Sequence, residues 1–194
     1  MNQVPIILAS TSPYRRALME RTGLRFSVMA PAVDESPLPG ESPERLVRRL
    51  AIAKAGAVKP KQPKSLIIGA DQVAIFGKKI LGKPGNHANA VRQLTMVSGK
   101  SVRFLTAVCV RASHTGKIHT KVVPCEVQFR DLQPREIGKY LKIDRPYDCA
   151  GSAKVEALGI ALIKRIKGDD PNALIGLPMI ALVDLLSKHG LKVL

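Results

Sequence analysis

Hydrophobic positions along the chain fall into two kinds of pattern, which predict alternating strands and helices. Continuous apolar runs or runs rich in β-branched residues predict strands. They cover residues 5–10, 26–29, 66–70, 73–76, 80–81, 102–111, 118–129 and 160–166. The runs at 73–76 and 80–81 predict a hairpin, and the two long runs predict an antiparallel ribbon.

Polar residues with helix-starting chemistry precede the stretches that have helical spacing. Ser12-Pro13 and Ser42-Pro43 each combine an N-cap residue with a proline at the first helical position, Asn86 is a further N-cap, and Pro134 opens another helix. Residues 178–188 predict a final amphipathic helix. Helices that alternate with strands and hairpins predict an α/β fold with a mixed central sheet flanked by helices.

The length and composition predict one folded domain over residues 1–194, with room for two small lobes. The apolar stretch Val4 to Ala9 is too short for a signal-peptide core or a membrane span. The 3 cysteines form no CxxC pair, so neither a zinc site nor a disulfide framework is indicated. These features favour a protein of the reducing cytoplasm.

The charge balance points to an anionic partner. The chain has 31 basic and 15 acidic residues, a net charge of +16, which attracts nucleic acids, phosphorylated small molecules or acidic surfaces. Basic runs such as 45–49 and 59–64 are interpreted as solvated helix faces. Aromatic residues are 4% of the chain and Trp is absent, which argues against a stacking surface for single-stranded nucleic acid.

A hydroxyl-rich turn between the first strand and the first helix, residues 9–16, is a candidate anion site. Backbone N–H groups and the positive end of the helix dipole point out of such a turn. Ser10 and Ser12 add hydroxyl groups, and Arg15 or Arg16 can bind phosphate oxygens through a bidentate fork. The alternative is that Ser12 only caps the helix and both arginines face water.

Carboxylates form the second candidate group. Asp71 follows a predicted buried strand, at the strand end where ligand sites gather in α/β folds. Asp34 and Glu35 lie in a loop predicted to cover the same edge. Carboxylates near triphosphate oxygens favour Mg²⁺ or Mn²⁺, and one of them can also activate water. Taken singly, each of these residues is equally typical of a turn.

Two separated lysines complete the candidate chemistry. Lys54 lies on the second helix, and Lys83 lies between Gly82 and Pro84, where the rigid backbone suits a phosphate contact. The 4 histidines show neither metal-ligand spacing nor a triad partner, so no role is assigned to them.

Taken together, five short motifs in order make the chain resemble the Maf family of nucleoside triphosphate pyrophosphatases. The motifs occupy residues 10–16, 33–35, 51–55, 69–72 and 82–84. The distal segments 149–159, 170–172 and 176–178 look like the branch of the family that acts on 7-methyl-GTP. The resemblance covers essentially the whole chain. It implies a two-lobed Maf/inosine triphosphatase-like fold with a cleft, a nucleotide substrate and a homodimer.

The resemblance also implies roles for individual residues. Asp71 would activate the hydrolytic water, beside a Mg²⁺ or Mn²⁺ ion that Glu35 and Asp71 help to bind. The implied triphosphate-binding residues are Ser10, Arg15, Lys54 and Lys83. The residues at positions that the family associates with base selection are Tyr14, Gln72 and Glu156.

The base-selecting positions have a physical interpretation. N7-methylguanine carries a fixed positive charge, so the face of Tyr14 gains a cation–π attraction over plain guanine, and Glu156 can accept hydrogen bonds from the base edge. Related sequences have Trp at the position of Tyr14, and Tyr is the weaker cation–π partner. Two alternatives remain: a dTTP/UTP pyrophosphatase of the same family, and a regulatory protein that binds nucleic acid. Carboxylates at the anion site argue against the second, because they repel a phosphate backbone.

Overall fold

The computed structural model describes residues 4–194. Over these residues the chain forms seven strands, listed here in chain order. They are β1 Ile6–Ala9, β2 Phe26–Met29, β3 Leu66–Phe76, β4 Lys79–Leu81, β5 Ser101–Ala112, β6 Ile118–Phe129 and β7 Ile163–Lys167. The α-helices are α1 Pro13–Glu20, α2 Pro43–Ala57, α3 His87–Val97, α4 Pro134–Asp144 and α5 Met179–Lys188. In the described part of the chain, no helix combines the length and apolar character that crossing a bilayer requires.

The strands form one mixed sheet, which confirms the predicted fold class. Their order is β2-β1-β3-β5-β6-β7, with β4 also paired to β3. β1 pairs in parallel with β2 and with β3, with Leu8 opposite Val28 and Ile68. The β3–β4 pair is antiparallel, as predicted for that hairpin, and so is the β6–β7 pair.

Two compact units share the chain. Unit 1 comprises the residues up to Asp71, Thr106–Val123 and Asp170–Leu194, and unit 2 comprises Gln72–Leu105 and Pro124–Asp169. β3, β5 and β6 each run from one unit into the other.

In unit 1, helices cover both faces of the parallel strands. Side chains alternate between the two faces along a strand. Leu8 and Ile68 therefore point to one face, where they join a buried cluster with Leu18 of α1 and Leu182 of α5. Gly69 lies on the other face of β3, where its nearest neighbours belong to α2.

Local capping chemistry determines where three helices begin. The side chains of Ser12, Ser42 and Asn86 accept hydrogen bonds from backbone N–H groups in the first turns of α1, α2 and α3. Each bond satisfies one of the donors that an α-helix leaves unpaired at its start. The predicted N-caps are therefore confirmed.

Three predicted strands are wrong in their bounds. The predicted strands 66–70 and 73–76 are one strand, β3, so Asp71 lies in its middle and not at its end. The carboxylate is accommodated there because Lys54 pairs with it. The predicted strand 160–166 begins only at Ile163, because residues Leu158–Leu162 form a 3₁₀ helix and the N–H of Gly159 donates to Asp144.

Candidate active site

In unit 1, two carboxylates meet one lysine. The Nζ atom of Lys54 lies 2.6 Å from Oδ1 of Asp71 and 2.6 Å from Oε1 of Glu35. The side chains of Lys54 and Asp71 are 7% and 8% exposed, whereas that of Glu35 is 55% exposed. A charged group is rarely buried unless it is paired, so the ammonium group and the Asp71 carboxylate compensate each other.

The close packing of α2 on β3 explains how Lys54 reaches Asp71. A Cβ atom added at Gly69 would collide with the carbonyl oxygen of Ala51 and lie 2.8 Å from the backbone nitrogen of Ala55. The helix can therefore approach the strand only because residue 69 has no side chain. Lys54 lies on this buried helix face, and Asp71 follows Gly69 by two residues on the same face of β3.

The hydroxyl-rich turn connects β1 directly to α1. The N–H of Ser12 donates to Oγ of Ser10 at 3.1 Å, and the N–H of Arg15 donates to Oγ of Ser12 at 3.4 Å. Ser10 is buried, and Ser12 is the N-cap of α1. The capping role of Ser12 is therefore confirmed. The anion-binding role of the turn stays a prediction.

Arg15 is tied to a distant loop of unit 1 and lies in the field of the carboxylates. Its Nε donates to the carbonyl oxygen of Gly176 at 2.8 Å. Burial lowers the pKa of Arg15, and the negative charges of Asp71 and then Glu35 oppose this shift. Arg15 therefore does not simply face water. The alternative in which both arginines face water is wrong for Arg15. Its neighbour Arg16 is exposed and pairs with Glu20.

The electrostatic environment keeps Asp71 less acidic than an ordinary aspartate. Burial raises its pKa, against the attraction of Lys54 and Arg15, and the like charge of Glu35 raises it further. A carboxyl group whose pKa moves toward neutrality is better suited to exchange a proton with a reacting group.

The donors at this site fit a divalent cation that is bound together with a substrate. Among residues 4–194, no group of three or more His, Cys, Asp or Glu side chains is arranged to hold a metal alone. Mg²⁺, however, is usually bound by one or two carboxylates together with phosphate oxygens and water. Glu35 and Asp71 supply two such carboxylates.

An arginine missed by the sequence analysis fixes the loop that carries Glu35. Arg49 donates from Nε and Nη2 to the two oxygens of Glu41 at 2.7 and 2.8 Å, and from Nη2 to the carbonyl oxygen of Ser36 at 3.0 Å. The prediction that residues 45–49 only solvate a helix face is wrong for Arg49. Through these bonds Arg49 ties α2 to Ser36, the residue that follows Glu35.

We expect Arg49→Met to destabilise the protein at neutral pH, with an effect that shrinks in acid. The hydrogen bonds from Arg49 lower the pKa of Glu41 from 4.5 to about 2. The stabilisation is therefore present above pH 4.5 and is lost as the pH falls toward 2. Thermal unfolding of both proteins at pH 7, 4 and 3 measures this.

Arg48→Met is the matched control for that experiment. Arg48 pairs with Glu44 at 3.1 Å across one helical turn, and both side chains are about half exposed. Such exposed pairs add little stability, so its Tm should match that of the unaltered protein at each pH. Equal Tm shifts for the two variants at neutral pH would contradict a special role for Arg49.

Three predicted site residues lie in unit 2, at separate points of the chain. Lys83 is exposed in the loop between β4 and α3, and Gln72 is half-buried on β3. Glu156 is exposed in the segment before the 3₁₀ helix Leu158–Leu162, and desolvation by surrounding protein atoms raises its pKa. Tyr14, the third base-selection candidate beside Gln72 and Glu156, lies half-buried in the first turn of α1 in unit 1.

Comparison with known proteins gives one consistent result. The model of the family described as Maf-like protein matches residues 5–189. A protein of Methylobacillus flagellatus named 7-methyl-GTP pyrophosphatase is 55% identical over 98% of this chain and 99% of its own. Proteins of the same name from Albidiferax ferrireducens and Nitrosococcus oceani are 52% and 51% identical over 99% and 97% of this chain, and 96% and 95% of their own.

Proposed function

Because this chain belongs to the Maf family, we propose that it hydrolyses 7-methyl-GTP to 7-methyl-GMP and pyrophosphate. The protein is a nucleoside triphosphate pyrophosphatase, a hydrolase acting on phosphoric anhydrides. The observation that carries the proposal is the meeting of Asp71 and Glu35 on the Nζ atom of Lys54. Such a hydrolysis needs cationic groups that bind the phosphates. It also needs a carboxylate of raised pKa next to them, which can take a proton from water.

In unit 1, Ser10, Arg15 and Lys54 bind the triphosphate. An ammonium group has three donors, of which Asp71 and Glu35 take two, so the third remains for a phosphate oxygen. Arg15 uses its Nε for Gly176, and its terminal amines are directed to phosphate oxygens. Ser10 accepts a bond from Ser12 and retains its own hydroxyl hydrogen as a donor.

Asp71 positions the hydrolytic water and takes its proton. The water oxygen bonds to the α-phosphorus, the bond from that phosphorus to the β-phosphate bridging oxygen breaks, and pyrophosphate leaves. Glu35 and Asp71 would hold the divalent cation, Mg²⁺ or Mn²⁺, which would neutralise charge on the phosphates. Catalysis then rests on positioning and charge compensation, without a covalent intermediate.

Lys83 is the fourth residue that binds the triphosphate, and the residues that select the base are Tyr14, Gln72 and Glu156. Glu156 accepts hydrogen bonds from the edge of the guanine, and its carboxylate favours the positive charge of the methylated ring. Tyr14 offers the aromatic face. We further propose a cytoplasmic enzyme that works as one domain and as a homodimer; in the described part of the chain Cys109, Cys125 and Cys149 form no disulfide.

A panel of triphosphates tests the function. We expect pyrophosphate release with 7-methyl-GTP to exceed release with GTP, dTTP and UTP by at least about tenfold in kcat/KM, to require Mg²⁺ or Mn²⁺, and to stop with a chelator. The assay follows pyrophosphate and the nucleoside monophosphate together. A preference for dTTP and UTP would assign the chain to the other activity of the family, and release from no triphosphate would refute the proposal.

A further inference from the structure

One glutamine side chain in unit 2 joins the loop that carries Lys83 to the loop that leads to Glu156. Gln93 lies on α3, half-buried. Its Nε2 donates to the carbonyl oxygen of Gly82 at 3.1 Å, and its Oε1 accepts from the hydroxyl of Ser152 at 2.6 Å. The carbonyl of Gly82 can only accept, so both bonds form only in this orientation of the amide.

The loop at Lys83 is held from α3 at two points. Besides the bond from Gln93 to Gly82, the amide of Asn89 donates to the carbonyl oxygen of Pro84 at 2.8 Å. The backbone on both sides of Lys83 is therefore fixed, while its exposed side chain extends from a defined position. A lysine placed in this way offers a point charge at a set location.

The second loop contains a backbone conformation that needs external support. Ser152 has φ 59°, in the left-handed region that residues with a side chain rarely adopt, and it is fully buried. Such a conformation costs free energy and persists only where surrounding contacts enforce it. The hydrogen bond between Ser152 and Gln93 is one such contact. Two residues further along the chain, the N–H of Lys154 donates to the hydroxyl of Tyr140 at 2.9 Å, which is a second contact that holds this loop.

We propose that Gln93 is a positioning residue that couples phosphate binding by Lys83 to base selection by Glu156. The proposal rests on the function proposed above, which gives the two loops their roles. The hydrogen bonds of Gln93 reach Gly82 and Ser152, and Gln93 acts through these two residues. Removing its amide releases both loops at once, whereas a residue that served only one loop would alter only one property of the enzyme.

Two measurements separate these properties. Inhibition by inorganic triphosphate, which has no base, reports phosphate binding. The ratio of kcat/KM for 7-methyl-GTP over GTP reports base selection. Gln93→Leu should weaken inhibition and lower the ratio, each by about tenfold, as expected when binding groups lose their fixed geometry. Lys83→Ala should weaken mainly the inhibition, and Glu156→Gln should lower mainly the ratio.

Gln128→Leu is the matched control, because Gln128 is a half-buried glutamine of the same unit, on β6 beside Arg165. It should change neither quantity. Should Gln93→Leu change only one quantity, or match this control, the coupling is refuted. Ser152→Gly gives a second variant: glycine adopts the same φ without strain, and the hydroxyl bond is lost.

Hydrogen exchange tests the coupling without any activity assay. In Gln93→Leu, amides in residues 82–85 and 152–156 should both exchange faster, and in Ser152→Gly the faster exchange should extend to residues 82–85. Faster exchange confined to one segment would overturn the proposal. An unaltered protein that hydrolyses no triphosphate would refute the proposed function, and the exchange result would still decide whether Gln93 links the two loops.

Discussion

Replacing Asp71 by Asn should lower kcat by about two to four orders of magnitude, the usual contribution of a general base, and should leave the fold intact. The amide has the shape of the carboxylate and can still accept through Oδ1 from Nζ of Lys54, a contact of 2.6 Å in the parent protein. It cannot take a proton from water and is a poor ligand for a divalent cation. The assay is kcat for pyrophosphate release at saturating substrate.

The stability of this variant provides an independent check. Burial raises the pKa of Asp71, so its ionisation costs stability as the pH rises through the pKa of the folded protein. Asn does not ionise and avoids that cost, but it also removes one of the two charged partners of Lys54. These effects oppose each other, so at pH 7 the Tm of the variant should stay close to that of the unaltered protein. Asp184→Asn, at an exposed position of α5, should retain full kcat. Full activity of Asp71→Asn would refute the role of Asp71 as base.

Local signals in the sequence were sufficient for most of the secondary structure. The N-caps Ser12, Ser42 and Asn86 act through hydrogen bonds three residues away, so the information lies within each segment. The strand predicted over residues 66–70 stops before Asp71, because nothing within that segment compensates a buried carboxylate. Its partner Lys54 is 17 residues away, and only the packing of α2 on β3 makes that compensation visible.

The contacts that organise the site could not be predicted from the sequence, because their partners are distant in the chain or are backbone atoms. Arg15 binds the carbonyl oxygen of Gly176, 161 residues away, and a backbone carbonyl has no sequence signature. Arg49 appears in a basic run that is equally typical of a solvated face, and its pairing with Glu41 depends on the path of the loop. Gly69 could have been found, since a glycine within a buried apolar strand often marks a close backbone approach.

Replacing Lys54 by Met should lower kcat/KM by about two to three orders of magnitude, as expected when a charge-stabilising donor is removed from an active site. The ammonium group that lies between Asp71 and Glu35 is lost together with its phosphate contact. Two negative charges then face each other, and the pKa of Asp71 rises further. Activity requires the ionised carboxylate, so the acid limb of the kcat profile moves to higher pH.

The pH profile distinguishes this electrostatic effect from a general loss of structure. A damaged fold lowers kcat at every pH, whereas removal of the cation moves the midpoint of the acid limb. Lys121→Met, at an exposed position of β6 in the same unit, should leave both kcat and the midpoint unchanged. Lys54→Arg keeps the charge and should keep the midpoint near its original pH, although the planar guanidinium cannot reproduce the contacts of a compact ammonium group. A midpoint that is the same in Lys54→Met and in the unaltered protein would show that Lys54 does not control the ionisation of Asp71.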